Sequence, residues 1–300
     1  MKKTKFASKD YSIDNLPSNR MEVFIDVIRN HWKTLFLIGL CLLLFMIPFL
    51  TLEIIGEILN IQLIGMHQNK EIDSQSLSMY LQITYFLIGI AKTLMLMIFS
   101  LGISGSVRII KKLIWAEGIE FLHDFKVGIQ ENWRKMIQLF LLIGIVSTVN
   151  RTTPYILSQT TMLTELSYTA LRSVLTSVSV LLLVPIAAFV FSQIVFYENR
   201  FLSMCINSIA FCGKTILSTY GLLAIICIPC AIVNHFCNIS VQIVVYSFAA
   251  VILLPLILMV WLLYSCYIFD RYVNPTFYPE IIDKGIWRKK NHTIDESDSE

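Results

Sequence analysis

The segments Phe24-Ile-Asp-Val-Ile28-Arg-Asn-His-Trp32-Lys33 and Phe125-Lys-Val-Gly-Ile129-Gln-Glu-Asn-Trp133-Arg134 lie 101 residues apart, and each runs directly into a long apolar stretch. Phe, Ile, Trp and a cation spaced four, four and one share one helical face, with the cation arriving where hydrocarbon would begin. The pattern is that of an amphipathic helix on a membrane surface feeding one that crosses it. A third, more diverged copy appears 80 residues beyond the second: Phe121-Leu122 falls on Phe201-Leu202, Ile129 on Ile209 and Arg134 on Lys214, while Gly213 replaces the Trp. In the outer copies a proline follows the cation by fifteen residues (Lys33 to Pro48, Lys214 to Pro229), and the middle copy has Val149 there. Three units are expected, each an amphipathic lead-in, an outward helix and a returning helix. Parallel repeats of this kind occur in transporters, around a central site.

Around the repeats the chain is far more apolar than a soluble domain. Hydrophobic residues make up 56% of its 300 positions and charged residues only 15%, against about a quarter charged in soluble proteins. Crossing a bilayer takes about 20 apolar residues, and six segments meet or approach that: 35–58, 80–103, 136–149, 174–196, 216–233 and 241–269. The third is the shortest, stopping before Asn150-Arg151. The expected fold is therefore all-α and polytopic, about six transmembrane helices in three pseudo-repeated pairs with cytoplasmic amphipathic helices. Residues 1–20 form a polar cytoplasmic arm, 21–270 a single transmembrane domain and 271–300 a cytoplasmic tail.

Cations orient the spans, because short cytoplasmic loops are enriched in Lys and Arg. The arm through Lys33 holds seven, the connection after the second span six, that after the fourth two and the tail five, so 20 of the 24 fall on one side. Both termini are expected in the cytoplasm of a multi-pass cell-membrane protein. The first twenty residues have no apolar core, so they are not read as a cleavable signal. The net charge of +3 gives no reason to expect nucleic acid, and the bilayer is the expected partner.

Lys92 is the one cation well inside an expected span. A charge there costs on the order of 3 kcal/mol and turns toward a partner or a wet cavity. Glu53 and Glu57, on the antiparallel neighbour, are its candidate partners, and the three residues are the candidate intramembrane polar site. Cys227, Cys230, His235 and Cys237 are close in sequence, but no second ligand pair follows them, so no metal site is expected. Gly102 and Ser106 form a small-xxx-small pair suited to close helix packing. Glu117, Glu120, Asp124 and Glu131 oppose Phe121, Phe125 and Ile129 on a surface helix, a solvated face rather than acid-base machinery. No phosphate-binding loop, nucleophile elbow or His-Glu-x-x-His helix occurs. No enzyme and no cofactor are expected.

Leu101-Gly-Ile-Ser-Gly105-Ser-Val-Arg108-Ile-Ile-Lys111-Lys112, followed by Glu117, Phe121, Asp124-Phe125, Gly128 and Glu131-Asn132-Trp133-Arg134-Lys135, resembles the YesL-like family of bacterial multi-pass membrane proteins. The likeness is close over 101–135 and loose over 24–269, and this chain differs in its longer polar N-terminus and acidic tail. The resemblance implies a membrane protein without an established activity, often associated with ATP-binding-cassette carbohydrate uptake. The expected role is accessory to such a system, with Asp124, Phe125, Asn132, Trp133 and Arg134 as candidate cytoplasmic contacts to its subunits. The alternatives are an independent small-solute carrier with a polar site around Lys92, and a membrane scaffold or regulator.

Overall fold

The computed structural model describes residues 16–160 and 165–286. Among them there is no strand. The helices are α1 (Arg20–Gln68), α2 (Ser74–Ile114), α3 (Phe121–Thr160), α4 (Glu165–Val178), α5 (Val184–Phe196), α6 (Phe201–Lys214), α7 (Ile216–Phe236), α8 (Ile239–Tyr272) and the short α9 (Asn274–Phe277). A π turn, Ser179–Leu183, joins α4 to α5, and a 3-10 turn, Pro279–Ile281, follows α9. Local chemistry sets the starts. The Asn19 side chain accepts from Glu22 N while Glu22 reaches back to Ser18 N, a reciprocal cap for α1. Asp73 and Asn238 cap α2 and α8 in the same manner from one side.

Among the described residues five stretches are long and apolar enough to cross a membrane: α1, α2, residues 173–196, residues 216–233 and residues 244–272. The protein is an all-α polytopic membrane protein. The remaining expected span, 136–149, is the middle of the unbroken α3, whose apolar run is cut short by Asn150 and Arg151. Outward-facing side chains explain the composition. Ile83, Phe86, Leu87, Ile90 and Leu94 form one exposed stripe on α2, the kind of surface that a bilayer covers in a membrane-spanning helix.

The repeat in the sequence marks real elements. Helices α1, α3 and α6 begin at Arg20, Phe121 and Phe201, the same offsets of 101 and 80 residues. Burial repeats as well. Val23, Asp124 and Met204 occupy one repeat position and are all buried, whereas Met21, Leu122 and Leu202, two positions earlier, are 67, 82 and 76% exposed. Units one and three also share a break between lead-in and outward helix, with non-helical backbone at His31 (φ −124°, ψ 22°) and Thr215 (φ −123°, ψ 26°). Unit two differs from the expectation of a lead-in set apart from its span, because α3 runs on without a break. The reason is contact with α2. Gly128 lies so close that a Cβ there would come within 2.8 Å of the Ser104 carbonyl oxygen, and ion pairs to Asp124 hold the lead-in along α2.

Each returning helix packs on the next unit: α2 on α3, α5 on α6, and α8 back on α1, which closes a ring. The three returning helices also touch one another. Their meeting point is the core. Lys111 donates to the Val195 carbonyl (2.9 Å), the Trp261 indole N–H to the Ala188 carbonyl (2.9 Å), and Ser192 and Ser265 share a buried hydroxyl bond of 2.7 Å. Small residues permit the close approaches. Gly89 receives the Thr148 methyl and Gly144 the Thr93 methyl, a reciprocal Gly-x-x-x-Thr lock in which each Thr hydroxyl donates back to its own glycine carbonyl at 2.9 Å. The expected packing face at Gly102 is likewise occupied, by the Phe45 ring, and Gly105 by that of Phe125.

The segment after Asp270, expected as a tail, is docked on the bundle as far as Ile286. Arg20 pairs with Asp270 at 2.6 Å and donates to the Lys284 carbonyl at 2.7 Å. Lys284 in turn pairs with Glu117 at 2.7 Å and stands over the Trp115 ring. Gly285 adopts φ +89°, and its α-carbon lies where a Cβ would meet the Ile114 carbonyl, so this turn requires glycine. The end of the bundle carrying Arg20 and Ile286 is called basal and the other distal. The expected acidic run 295–300 lies outside the described residues.

Candidate functional site

The three returning helices meet tightly in their basal halves, where Val107, Ile110, Phe189, Met259 and Leu262 are almost wholly buried. Distally they part. The π turn lies in the wall of the space between them, just before Pro185, with Ser179 and Leu183 among the lining residues, and such turns recur at functional positions. The space left is a cavity of about 850 Å³ reached by side chains of α1 through α8. Its basal floor is apolar, built by Ile103, Leu139, Phe140, Phe191, Leu258 and Trp261. Its distal rim is polar, with Glu57, Tyr85, Ser147, Asn150, Thr176 and Ser179. From Leu139 to Asn150, both on α3, the helix rises roughly 16 Å at about 1.5 Å per residue. The cavity is thus long, with polarity graded along its axis.

Several rim and floor groups are held in place. Asn150 donates its amide to the Ser179 hydroxyl, which donates to the Leu175 carbonyl at 2.9 Å. Tyr220 of α7 donates to the Leu181 carbonyl inside the π turn. The hydrogen bond from Trp261 to Ala188 fixes the indole ring against the cavity.

The candidate intramembrane site divides. Lys92 and Glu53 form an ion pair between α2 and α1, as their antiparallel placement suggested. Glu57, one turn along α1, instead belongs to the cavity wall. The candidate partner contacts divide too. Asp124 is 1% exposed and accepts from Lys112 at 2.6 Å and from Glu120 N at 2.8 Å, with Arg108 at 3.8 Å. Burial pushes its carboxyl up, but the hydrogen bonds from Lys112 and Glu120 N and the charges of Lys112 and Arg108 outweigh burial and hold it below the ordinary range. Phe125 stacks on Phe121 and covers Gly105. These two residues are absorbed by the fold, Asn132 is half-buried, and Trp133 and Arg134 face outward with the guanidinium over the indole.

The acids expected as a solvated face are partly paired: Glu131 with Arg108 and Glu117 with Lys284. A further basal group is Tyr197, whose hydroxyl donates to Asn274 at 2.6 Å and whose ring stacks on Tyr278. Burial, chiefly, raises its ionisation far above the ordinary phenol value. Of the cysteine and histidine cluster near the end of α7, the side chains of Cys230 and His235 lie outside the described residues. Among the described residues no group of three His, Cys, Asp or Glu side chains could hold a metal ion.

Sequence reading misses the cavity's rim on α3, α4 and the π turn, where Asn150 reads only as a span's end and Ser179 carries no signal of its own. A signal is present in Ser147, Asn150, Thr176 and Ser179, polar residues spaced three apart on two helices of one unit. Together the fold and cavity define a polytopic helical membrane protein with a central, axially graded site. No family model, no curated protein and no solved structure matches the chain.

Proposed function

We propose that this protein is a carrier for a small solute in the cell membrane, with the solute held in the central cavity and both termini in the cytoplasm. The observation that carries the reading is the cavity itself, large enough for a drug-sized solute and lined by helices of all three repeat units. Pseudo-repeated bundles place their transport sites at such unit interfaces. The cation bias supports the orientation, since the basal end holds the Lys- and Arg-rich connections. The test is proteoliposome uptake from a bacterial metabolite extract, comparing the parent with Ala187→Trp, which places an indole into the cavity wall. Solutes accumulated by the parent and not by the variant are expected. Identical profiles from two correctly folded proteins would refute the carrier reading.

A second reading is the accessory role in ATP-binding-cassette carbohydrate uptake. It is supported by the resemblance to the YesL-like family over 101–135 and by the outward-facing Trp133 and Arg134. Co-purification from native membranes in mild detergent tests it. Permease subunits should accompany the parent and be depleted with Trp133→Ala/Arg134→Ala.

A further inference from the structure

Resting on the carrier reading, we infer that the cavity takes an organic monocation: a compact ammonium head on an apolar or aromatic body. Among the described side chains lining the cavity, the charged group is the Glu57 carboxylate, and none is Lys, Arg or His. The nearby cation Lys92 is engaged by Glu53 and is not among the cavity's lining residues, so the charge the described wall presents is that of Glu57. Carboxylates at the mouth of a low-dielectric cleft focus the field and concentrate cations there.

The neutral rim groups point the same way. One N–H of the Asn150 amide is given to Ser179, and the Ser179 proton to the Leu175 carbonyl, so the Ser179 hydroxyl offers the cavity no proton and the Asn150 carbonyl remains as a neutral acceptor for an ammonium N–H or CH group. An anion would find no charged donor in the described wall. Below the rim, Phe140, Phe191 and Trp261 present ring surface, which binds apolar groups and, through the ring quadrupole, ammonium methyl and methylene groups. The Trp261 N–H is used up by Ala188, leaving its ring as the contact. A sugar needs dense hydrogen bonding along its length, and the floor lacks it. A ligand polar at one end matches a cavity polar at one end.

The experiment is equilibrium dialysis of the purified full chain in detergent against benzyltriethylammonium, benzenesulfonate and maltose. Saturable binding of the ammonium alone is expected. Glu57→Gln should weaken it about tenfold, less than the loss of a fully buried charge pair because Glu57 is exposed at the rim, and Ala187→Trp should abolish it. Val146→Phe replaces Ala187→Trp if the latter is not monodisperse. Ammonium affinity within twofold of the parent in Glu57→Gln would overturn the charge inference, as would absence of binding by any probe. Sulfonate or maltose bound as tightly as the ammonium, yet lost in Ala187→Trp, would overturn the inference while leaving the carrier reading standing. Ammonium binding unaffected by the cavity-filling variants would overturn both.

Discussion

Gly39→Ala should destabilise the protein through a backbone collision that no side chain can relieve. A Cβ on Gly39 would lie 1.8 Å from the Val251 carbonyl oxygen, 2.6 Å from its carbon and 2.8 Å from its Cα. Contacts under 3.0 Å are essentially never made by a Cβ, so α1 and α8 must separate by more than about 1 Å, in an interior that resists such dilation. Overpacking costs typically 1–3 kcal/mol, and backbone against backbone belongs at the upper end, about 3 kcal/mol. A domain of this size loses roughly 2 °C of melting temperature per kcal/mol, which gives a drop of about 6 °C. The assay is scanning fluorimetry in detergent, with Gly65→Ala as control. Gly65 lies on the same helix, and a Cβ added to it would have nothing within 4 Å, so there the change should be neutral or stabilising by up to about 1 kcal/mol from helix propensity. Equal melting of Gly39→Ala and Gly65→Ala would refute the closure of the ring by α8 on α1.

Further outcomes follow from the ion pairs, the basal turn and the cavity cysteine. Because the Asp124 carboxyl is held below its ordinary range, its stabilisation is complete above the unfolded value of about 3.9 and is lost as pH falls through the lower folded value. Asp124→Asn should therefore melt lower at pH 7 and show a shallower acid limb below about pH 4, measured by fluorimetry across pH. Lys92→Leu should cost about 3 kcal/mol by removing the ammonium that Glu53 pairs with, and Glu53→Leu added to it should recover part of that; additive losses in the double-mutant cycle would contradict a direct pair. Gly285→Ala, blocked both by its φ and by Ile114, should undock 274–286, seen as faster amide exchange there with exchange in α2 unchanged. In a variant retaining only Cys205, which lines the cavity, a bound solute should slow alkylation by maleimide at least threefold.

The sequence carried the architecture further than the site because helical membrane folds repeat their periodicity in plain composition. Lead-in segments were legible from Phe24, Phe125 and their cations, and even the diverged third copy marked the start of α6 at Phe201. Hydropathy located five of the long apolar helices. What it did not carry was which face each helix turns inward. Lys92 and Glu53 were expected together because antiparallel neighbours align them, yet Glu57's separate place in the cavity depends on the rotation of α1, which the Gly39 and Gly102 contacts set. Asp124 and Phe125 looked available to a partner for the same reason: an amphipathic pattern says that a residue is on a face, not what covers it. Small residues were informative in kind but not in pairing. Nothing in Gly89, Thr93, Gly144 and Thr148 taken singly announces that they interlock across α2 and α3.

The return of α8 onto α1 has a consequence for how the molecule is made. Ribosomes deliver α1 first and α8 last among the long helices, so the groove along Gly39 stays vacant while all the intervening helices are inserted. Lipid, or an insertion factor, must occupy it until then. The ring is completed only once α8 has been inserted, and Arg20 meets Asp270 and Lys284 no earlier than that. Premature termination anywhere before α8 would leave an open arc with an exposed glycine seam, a natural mark for membrane quality control.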